Sequence, residues 1–456
     1  MRKFLIIKIP RLIMKIKYLQ NASVIIENQG EKILCDPWLI DGCYYGSWNH
    51  YPKFEFNEKE FEDIDLIYLS HIHPDHFDKE TLKKLDKDIP VYIHNFPEKF
   101  FKNNIEQIGF KVIELENNKR TKLGSTWINV IAADNCNPEI CNRVFGCSFE
   151  QANFGTNQID TMVVFDNDEQ VIVNVNDCPF EIGGFTAQMV KEQYNRINLL
   201  LVGYSGASDY PLCYDFDLTT KNNESIMKKT KRLQDAKNYI NIFEPEFYLP
   251  FAGRYVLGGR KYSQLQFKGE PSLDEAFIWL KNNINKKNTG ILLNSKSSFN
   301  IDTGKTSDEY IPEDIFEKEN YVNTVLFNKK FDYEFDDEPD IKEIFDLIPK
   351  CFEKFERKRQ QINYSTEIVI ILEINSEYVV KIPMNGNKIQ IIKKIDFEYP
   401  EKFLSVKMNI KLLKRILKGP RFAHWNNASI GCHIEWKRQP NFYDRALMYC
   451  LNFLHL

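Results

Sequence analysis

An apolar run, Ile64-Asp65-Leu66-Ile67-Tyr68-Leu69, passes directly into Ser70-His71-Ile72-His73-Pro74-Asp75-His76-Phe77-Asp78. The run reads as a buried strand, and Pro74 with the polar residues after it ends that strand. Three of the eight histidines in the 456-residue chain therefore sit on one turn, with a carboxylate between them. The C-terminal end of a strand is where loop-borne sites tend to lie. Alternate side chains of an extended segment share a face, so His71 and His73 point the same way and can hold one metal ion. Asp75 and His76 fall where the chain turns and can aim at a second ion close by. Imidazole and carboxylate suit zinc or iron. A polar loop that happens to be rich in histidine is the plainer alternative, but the spacing matches a mechanism as well as a pattern.

The length suggests two or three domains. With 43% hydrophobic, 14% aromatic and 27% charged residues there is ample material for a core. A net charge of −4 leaves no global basic field to favour nucleic acid or an anionic membrane. No apolar run reaches the ~20 residues of a membrane span. Met1 to Pro10 faintly resembles a signal peptide, but Lys8 interrupts it and no small-residue cleavage site follows, so a strand or helix of the mature protein is expected. Ten cysteines are scattered without a CxxC pair, which reads as reduced thiols in the cytoplasm. Cys136, Cys141 and Cys147 form a local cluster, but their spacing matches no common metal site.

Ahead of the histidine turn, Ala22 to Glu27 and Glu31 to Cys35 flank the turn signal Asn28-Gln29-Gly30 and predict a hairpin that ends at Asp36-Pro37-Trp38. Residues 41–60 carry Tyr44, Tyr45, Trp48 and His50, which fit either a wall of the site or simple packing. Helix is expected over Lys79 to Lys87, and strand over Val91 to His94. A lone strand histidine is more often structural, so His94 is left outside the site. Trp127 to Asp134 predicts a strand ending in an acid, and residues 135–157 an inserted loop. Asp160 to Phe165 and Gln170 to Asp177 predict a second hairpin, turning at Asp166-Asn167-Asp168. Asn198 to Gly203, a long helix over 221–243 and Phe247 to Phe251 follow. Strands that end repeatedly in polar residues predict an α/β layered fold with its site along one edge.

Residues 1–300 then read as the catalytic domain and 301–345 as an acidic linker, centred on Asp332 to Asp340. Residues 346–456 read as a C-terminal α+β domain, announced by a helix from Ile341 to Gln361 that opens just inside the linker. Three strand-like runs and a helix from Ile410 to Leu417 follow. Arg421, His424, Trp425, His433 and Arg438 fit an anionic substrate and a solvated basic surface equally well.

The run His71-Ile72-His73-Pro74-Asp75-His76 resembles the HxHxDH motif of the metallo-β-lactamase superfamily, as does the preceding hairpin with Asn21-Ala22-Ser23 and Asp36-Pro37-Trp38. The resemblance implies an αββα sandwich with a dinuclear site at one edge of the sheets. Within that superfamily, Asn174 to Cys178, Gly203 to Ser208, Leu249 to Gly253 and Trp425 to Gly431 look similar to segments of the CMP-N-acetylneuraminate hydroxylase family. Residues 346–456 weakly resemble sterol-carrier-like domains, which implies holding an apolar group or forming a homodimer; a capping subdomain is at least as good a reading.

Carried over by that resemblance, His71 and His73 match the first metal's ligands, Asp75 and His76 the second's, and Asp177 the bridging carboxylate. The superfamily usually places another histidine between the motif and that aspartate, but no histidine lies between His94 and His424. Asp134, at the end of a strand, is the expected substitute. A later histidine is also missing, leaving an open position or a side chain such as Tyr255 to stand in. A carboxylate in place of an imidazole favours harder metals, which puts iron ahead of zinc or manganese.

The resemblance thus implies a diiron oxygenase using dioxygen to hydroxylate a small polar metabolite such as a nucleotide-sugar. Asp75 and Asp177 are the expected catalytic residues. The animal hydroxylases carry a Rieske domain, whose Cys/His pattern this sequence lacks, so a separate electron-donor protein is implied. The alternative is hydrolysis of a phosphodiester or amide by a hydroxide that the metals activate, and a third is a non-catalytic scaffold.

Overall fold

The computed structural model describes residues 14–145, 156 and 158–456. Met1 to Pro10 and Cys147 lie outside the described residues. Two sheets face each other. The first runs in spatial order Lys305–Thr306, Ser298–Asn300, Met14–Gln20, Ser23–Asn28, Glu31–Cys35, Leu66–Tyr68, Val91–His94 and Val112–Leu115. The second runs Thr289–Gly290, Phe247–Phe251, Leu199–Gly203, Val171–Asn174, Thr161–Asp166, Thr126–Ala132 and Thr121–Leu123.

Side-chain alternation decides which layer each residue joins. Along Ser23–Asn28, Val24 and Ile26 lie in the core between the sheets, while Ile25 joins Leu34, Ile67, Leu82, Ile93 and Phe101 beneath the outer helices. Along Thr161–Asp166, Val163 and Phe165 face inward. Met162 and Val164 face outward, against Ile182 and Val190 of helix Phe180–Gln193 and Ala236, Ile240 and Phe243 of helix Leu218–Phe243. Helices Lys79–Lys84 and Phe100–Glu106 cover the other side. The layers are those of an αββα sandwich.

The C-terminal part forms a five-stranded sheet in the order Gln390–Lys393, Tyr378–Pro383, Val369–Glu373, Phe403–Lys407, Glu435–Gln439. Helices Ile341–Gln361, Ile410–Leu417, Trp425–Ile430 and Arg445–Leu451 accompany it. One apolar cluster unites its Ile344, Ile348, Phe355, Trp425 and Trp436 with Trp38, Tyr44, Trp48 and Leu257 of the sandwich.

Residues 301–345 touch the folded parts at several points, although most of their side chains stay exposed. Their strand Lys305–Thr306 extends the first sheet and helix Ile315–Tyr321 follows. Tyr333 is buried, and Arg415 of helix Ile410–Leu417 holds Asp336 at 2.5 and 2.6 Å. Asp336 of the acidic run thus pairs with a cation of that helix, while Asp332, Glu334, Asp337, Glu338 and Asp340 stay exposed, as a solvated stretch would. The stretch expected as an inserted loop contains a helix, Pro138–Phe145. No helix among the described residues is long and apolar enough to cross a membrane, and the nine described cysteines are free.

Candidate metal centre

Strand Leu66–Tyr68 runs parallel to Glu31–Cys35, so both deliver their polar followers, Ser70 to His76 and Asp36, to one edge. In the opposing sheet, Val171–Asn174 ends at that edge and leads into Asp177. Strand Thr161–Asp166 runs antiparallel to it and begins there, placing Asp160. Thr161 Oγ1 donates to the Ser70 carbonyl at 2.9 Å and ties the two sheets beside the histidines.

The ligand atoms of His71, His76 and Asp177 lie within 4.8 Å of one another, and so do those of His71, His73 and Asp160. His71 Nε2 is 2.9 Å from His73 Nδ1, 3.7 Å from Asp160 Oδ1 and 3.9 Å from Asp177 Oδ2. His76 Nε2 is 3.4 Å from Asp177 Oδ1 and 3.7 Å from Asp75 Oδ2. His71, His76 and Asp75 are buried, whereas the Asp177 side chain is 28% exposed and marks the open side.

Asp36, fully buried, organises this turn. It accepts from Ser70 N at 2.7 Å, from Ser70 Oγ at 2.6 Å and from His76 Nδ1 at 2.8 Å. With Nδ1 donating to a carboxylate, His76 turns the lone pair of Nε2 inward. Ser70 Oγ spends its proton on Asp36 and so accepts from His71 Nδ1 at 3.0 Å, which turns the Nε2 lone pair of His71 inward as well. Tyr44 donates to Asp75 Oδ1 at 2.5 Å and leaves Oδ2 facing His76. Asn426, from the C-terminal part, meets His73 Nε2 at 3.0 Å.

Burial, reinforced by His76 and His73, pushes the pKa of His71 well below the ordinary value. Burial lowers that of His73 too. In His76 burial opposes the charge, but Asp177, Asp75 and Asp36 outweigh it and raise the pKa well above the usual range. Burial and then Asp177 push the Asp160 carboxyl up to about 8. Burial likewise raises Asp75, helped by Asp177. Asp177 moves the other way: burial is outweighed by the charge of His76, and its pKa falls. Three carboxylates crowd a buried space that carries too little positive charge.

The donor set fits metal ions. His76 Nε2 is buried with no close hydrogen bond, 3.4 Å from Asp177 and 3.7 Å from Asp75, and without an ion those carboxylates favour a proton there, in the place a cation would take. It faces the two carboxylates a second ion would share.

The structure brings His71, His73, Asp75, His76 and Asp177 together. Asp134 is spent elsewhere: its Oδ1 accepts from Thr156 Oγ1 at 2.5 Å and from Cys136 N at 3.0 Å, closing the turn after its strand. Asp160 takes the place beside His71 that Asp134 was expected to fill. Tyr255 does not stand in for the late histidine either. Its ring stacks on Trp48 at 3.5 Å and its hydroxyl donates to Gly206 O at 3.3 Å. His94 stays outside the cluster, against Asn117. His433 and Trp425 belong to the buried interior: His433 Nε2 donates to Tyr44 O at 2.8 Å and Trp425 Nε1 to Leu454 O at 3.1 Å. The contacts that Asp36, Ser70 and Asn426 make with the imidazoles had no signal in local pattern, although a carboxylate directly after a buried strand was visible at Asp36.

Layered sheets with a histidine–carboxylate cluster at one edge define a superfamily of metal-dependent enzymes. A family model described as the Beta-lactamase superfamily domain matches residues 15–251, and the chain belongs to that superfamily. Among the curated proteins, it is 27% identical over 297 residues to the inactive cytidine monophosphate-N-acetylneuraminic acid hydroxylase of Homo sapiens, covering 61% of this chain and 52% of that one. It is 25% identical over 248 residues to a protein of Mycobacterium tuberculosis described as a Rieske 2Fe-2S iron-sulfur protein, covering 53% and 44%. The chain thus spans about half the length of the curated relatives it matches. Among solved structures, an isothiocyanate hydrolase from Delia radicum gut bacteria aligns with a TM-score of 0.43 at 13% identity, over 63% of this chain and 98% of that one. Hydroxylase and hydrolase names both occur among its relatives.

Proposed function

We propose that this chain is a dinuclear-metal oxygenase, with iron ahead of zinc or manganese, that hydroxylates a small polar metabolite such as a nucleotide-sugar. The observation that carries the reading is Asp160 beside His71, which gives the buried cluster as many carboxylates as imidazoles. Such a set favours a harder, more highly charged ion over the imidazole-rich surroundings that suit hydrolytic zinc. The likeness to hydroxylases supports the same direction.

His71, His73 and Asp160 would hold one ion, Asp75 and His76 the other, with Asp177 between them. Two such ions, when bound, would supply the redox chemistry for activating dioxygen. The protein's own groups do the rest. Asp36 and Ser70 orient the imidazoles, and Tyr44 fixes Asp75. Burial of His71 and His76 excludes water from the inner side, so a substrate approaches past Asp177. Electrons would come from a separate donor protein.

Hydrolysis is the second reading. It is favoured by Asp75, whose free Oδ2 and burial-raised pKa suit it to accept a proton from an attacking water. Protein loaded with iron(II) under anaerobic conditions, then mixed with oxygen and candidate nucleotide-sugars, separates the two. Substrate-dependent oxygen uptake supports hydroxylation. Two tightly bound zinc ions with turnover in the absence of oxygen would overturn it. A scaffold role fails if His73→Ala abolishes turnover while leaving the fold intact.

A further inference from the structure

His73 is the one imidazole of the cluster whose outer nitrogen is held neither by Asp36 nor by Ser70. Its Nδ1 faces His71 Nε2 at 2.9 Å, toward the cluster, and its Nε2 faces the side-chain amide nitrogen Nδ2 of Asn426 at 3.0 Å, 353 residues away in the chain. We infer that Asn426 is a positioning residue of the metal centre: its amide fixes the tautomer of His73, so the C-terminal domain helps set metal affinity. The inference rests on the two-metal reading above.

The chemistry of the imidazole requires it. A neutral imidazole has one protonated and one free nitrogen. For Nδ1 to offer its lone pair to an ion, Nε2 must carry the proton and must find an acceptor. The Oδ1 of Asn426 is that acceptor once the amide is turned by half a rotation, and the two ends of an amide differ only in what they bond. In the orientation recorded without an ion, the amide nitrogen donates to Nε2, and Nδ1 carries the proton toward His71 Nε2, so its lone pair is not on offer. Asn426 therefore holds His73 in one of two states, and an ion at the site selects the binding one.

The amide is not a passing surface contact. Helix Trp425–Ile430 is pinned to the sandwich at several points. Its cap His424 accepts from Asn426 N at 3.2 Å, and His424 N donates to Tyr45 Oη at 2.7 Å. Ser47 Oγ donates to Gly431 O at 2.7 Å, and Trp48 Nε1 to Ile430 O at 3.3 Å. Trp48 belongs to the same buried cluster as Tyr44, the residue that holds Asp75. Ligands of both proposed ions are thus held by groups fastened to one another through the C-terminal domain.

Metal affinity of the full chain, measured by competition with a chelator, tests the inference. Asn426→Leu has similar bulk but neither accepts nor donates, and is expected to weaken binding of one ion by about 10- to 100-fold, the usual effect of losing such an outer partner. Asn426→Asp keeps the acceptor, forces the binding tautomer, and is expected to hold metal at least as tightly as the parent. If leucine disturbs the fold, Asn426→Ala removes the amide without adding bulk and carries the same expectation. Unchanged affinity in the leucine and alanine variants overturns the inference, as does an aspartate variant as weak as they are. A parent chain that takes up no metal overturns the two-metal reading itself, which keeps the two failures distinct.

Discussion

Asp36→Asn isolates the part of the site that lies outside any contact with a metal ion. Asp36 is fully buried and receives three hydrogen bonds, from Ser70 N, Ser70 Oγ and His76 Nδ1. Its backbone stands at φ +44°, in the left-handed region that asparagine tolerates better than most residues, so the substitution adds no backbone strain. Asparagine keeps one oxygen for Ser70 N. Its amide nitrogen then meets two donors, and His76 must move its proton from Nδ1 to Nε2 to avoid the clash. That proton then sits on the Nε2 position that an ion would need, beside Asp177 and Asp75. The expected result is a loss of metal affinity of about 10- to 100-fold, or about 1.4–2.8 kcal/mol. Fold stability should fall by only about 1–3 kcal/mol, because one donor is imperfectly met. Asp36→Ala should cost about 1–2 kcal/mol more than that, from the left-handed backbone and the donors left bare. Chelator competition reads the first quantity and calorimetric unfolding of metal-free protein the second. If the asparagine variant holds metal as the parent does, the assignment of His76 Nε2 as a ligand is wrong.

Asp160→His should raise the zinc-to-iron ratio of protein loaded from an equimolar mixture, measured by elemental analysis; an unchanged ratio would show that this carboxylate does not set metal choice. Lys268 is 2% exposed, with Nζ 3.6 Å from the Tyr255 ring centre and 4.9 Å from that of Trp48, and burial lowers its pKa to about 7. Between that value and 10.5 the unfolded chain binds the extra proton, so this group makes stability rise with pH across the interval. Lys268→Met should therefore stabilise the fold most below pH about 7, by at most about 5 kcal/mol, with the gain over the parent fading toward pH 10; equal gains at all pH values would refute it. Asp209 is buried against Trp436 Nε1 at 2.5 Å and Ser429 Oγ at 2.8 Å, and burial raises its pKa to about 6. The folded state holds this proton more tightly, so stability from Asp209 is lost as pH rises from about 4 to about 6. Asp209→Asn should flatten that part of the pH–stability curve in urea titrations.

What the sequence by itself determined was local. His71, His73, Asp75 and His76 sit on one short turn after a strand, so spacing and alternation alone bring them near one another. The hairpins, the helices from Ile341 to Gln361 and from Ile410 to Leu417, and a layered α/β class follow from periodicity in the same way, while the αββα arrangement came from the resemblance of the histidine motif. Only the tertiary structure decided which distant carboxylates complete the cluster. Acids at the ends of strands were the natural candidates, and Asp177 is one. Asp160 precedes its strand, but that strand runs antiparallel to its neighbours, so its beginning lies on the edge where theirs finish. Strand direction in a sheet is a pairing property that no window of sequence contains. The same holds for Asp134, whose strand also ends at that edge but whose side chain is taken by the turn that follows. It holds as well for Asp336 in the exposed acidic stretch, whose partner Arg415 lies 79 residues further along the chain. Asp36 meets His76 across 40 residues through the parallel pairing of neighbouring strands, and Asn426 meets His73 across 353, and contacts so far apart in sequence leave no local trace.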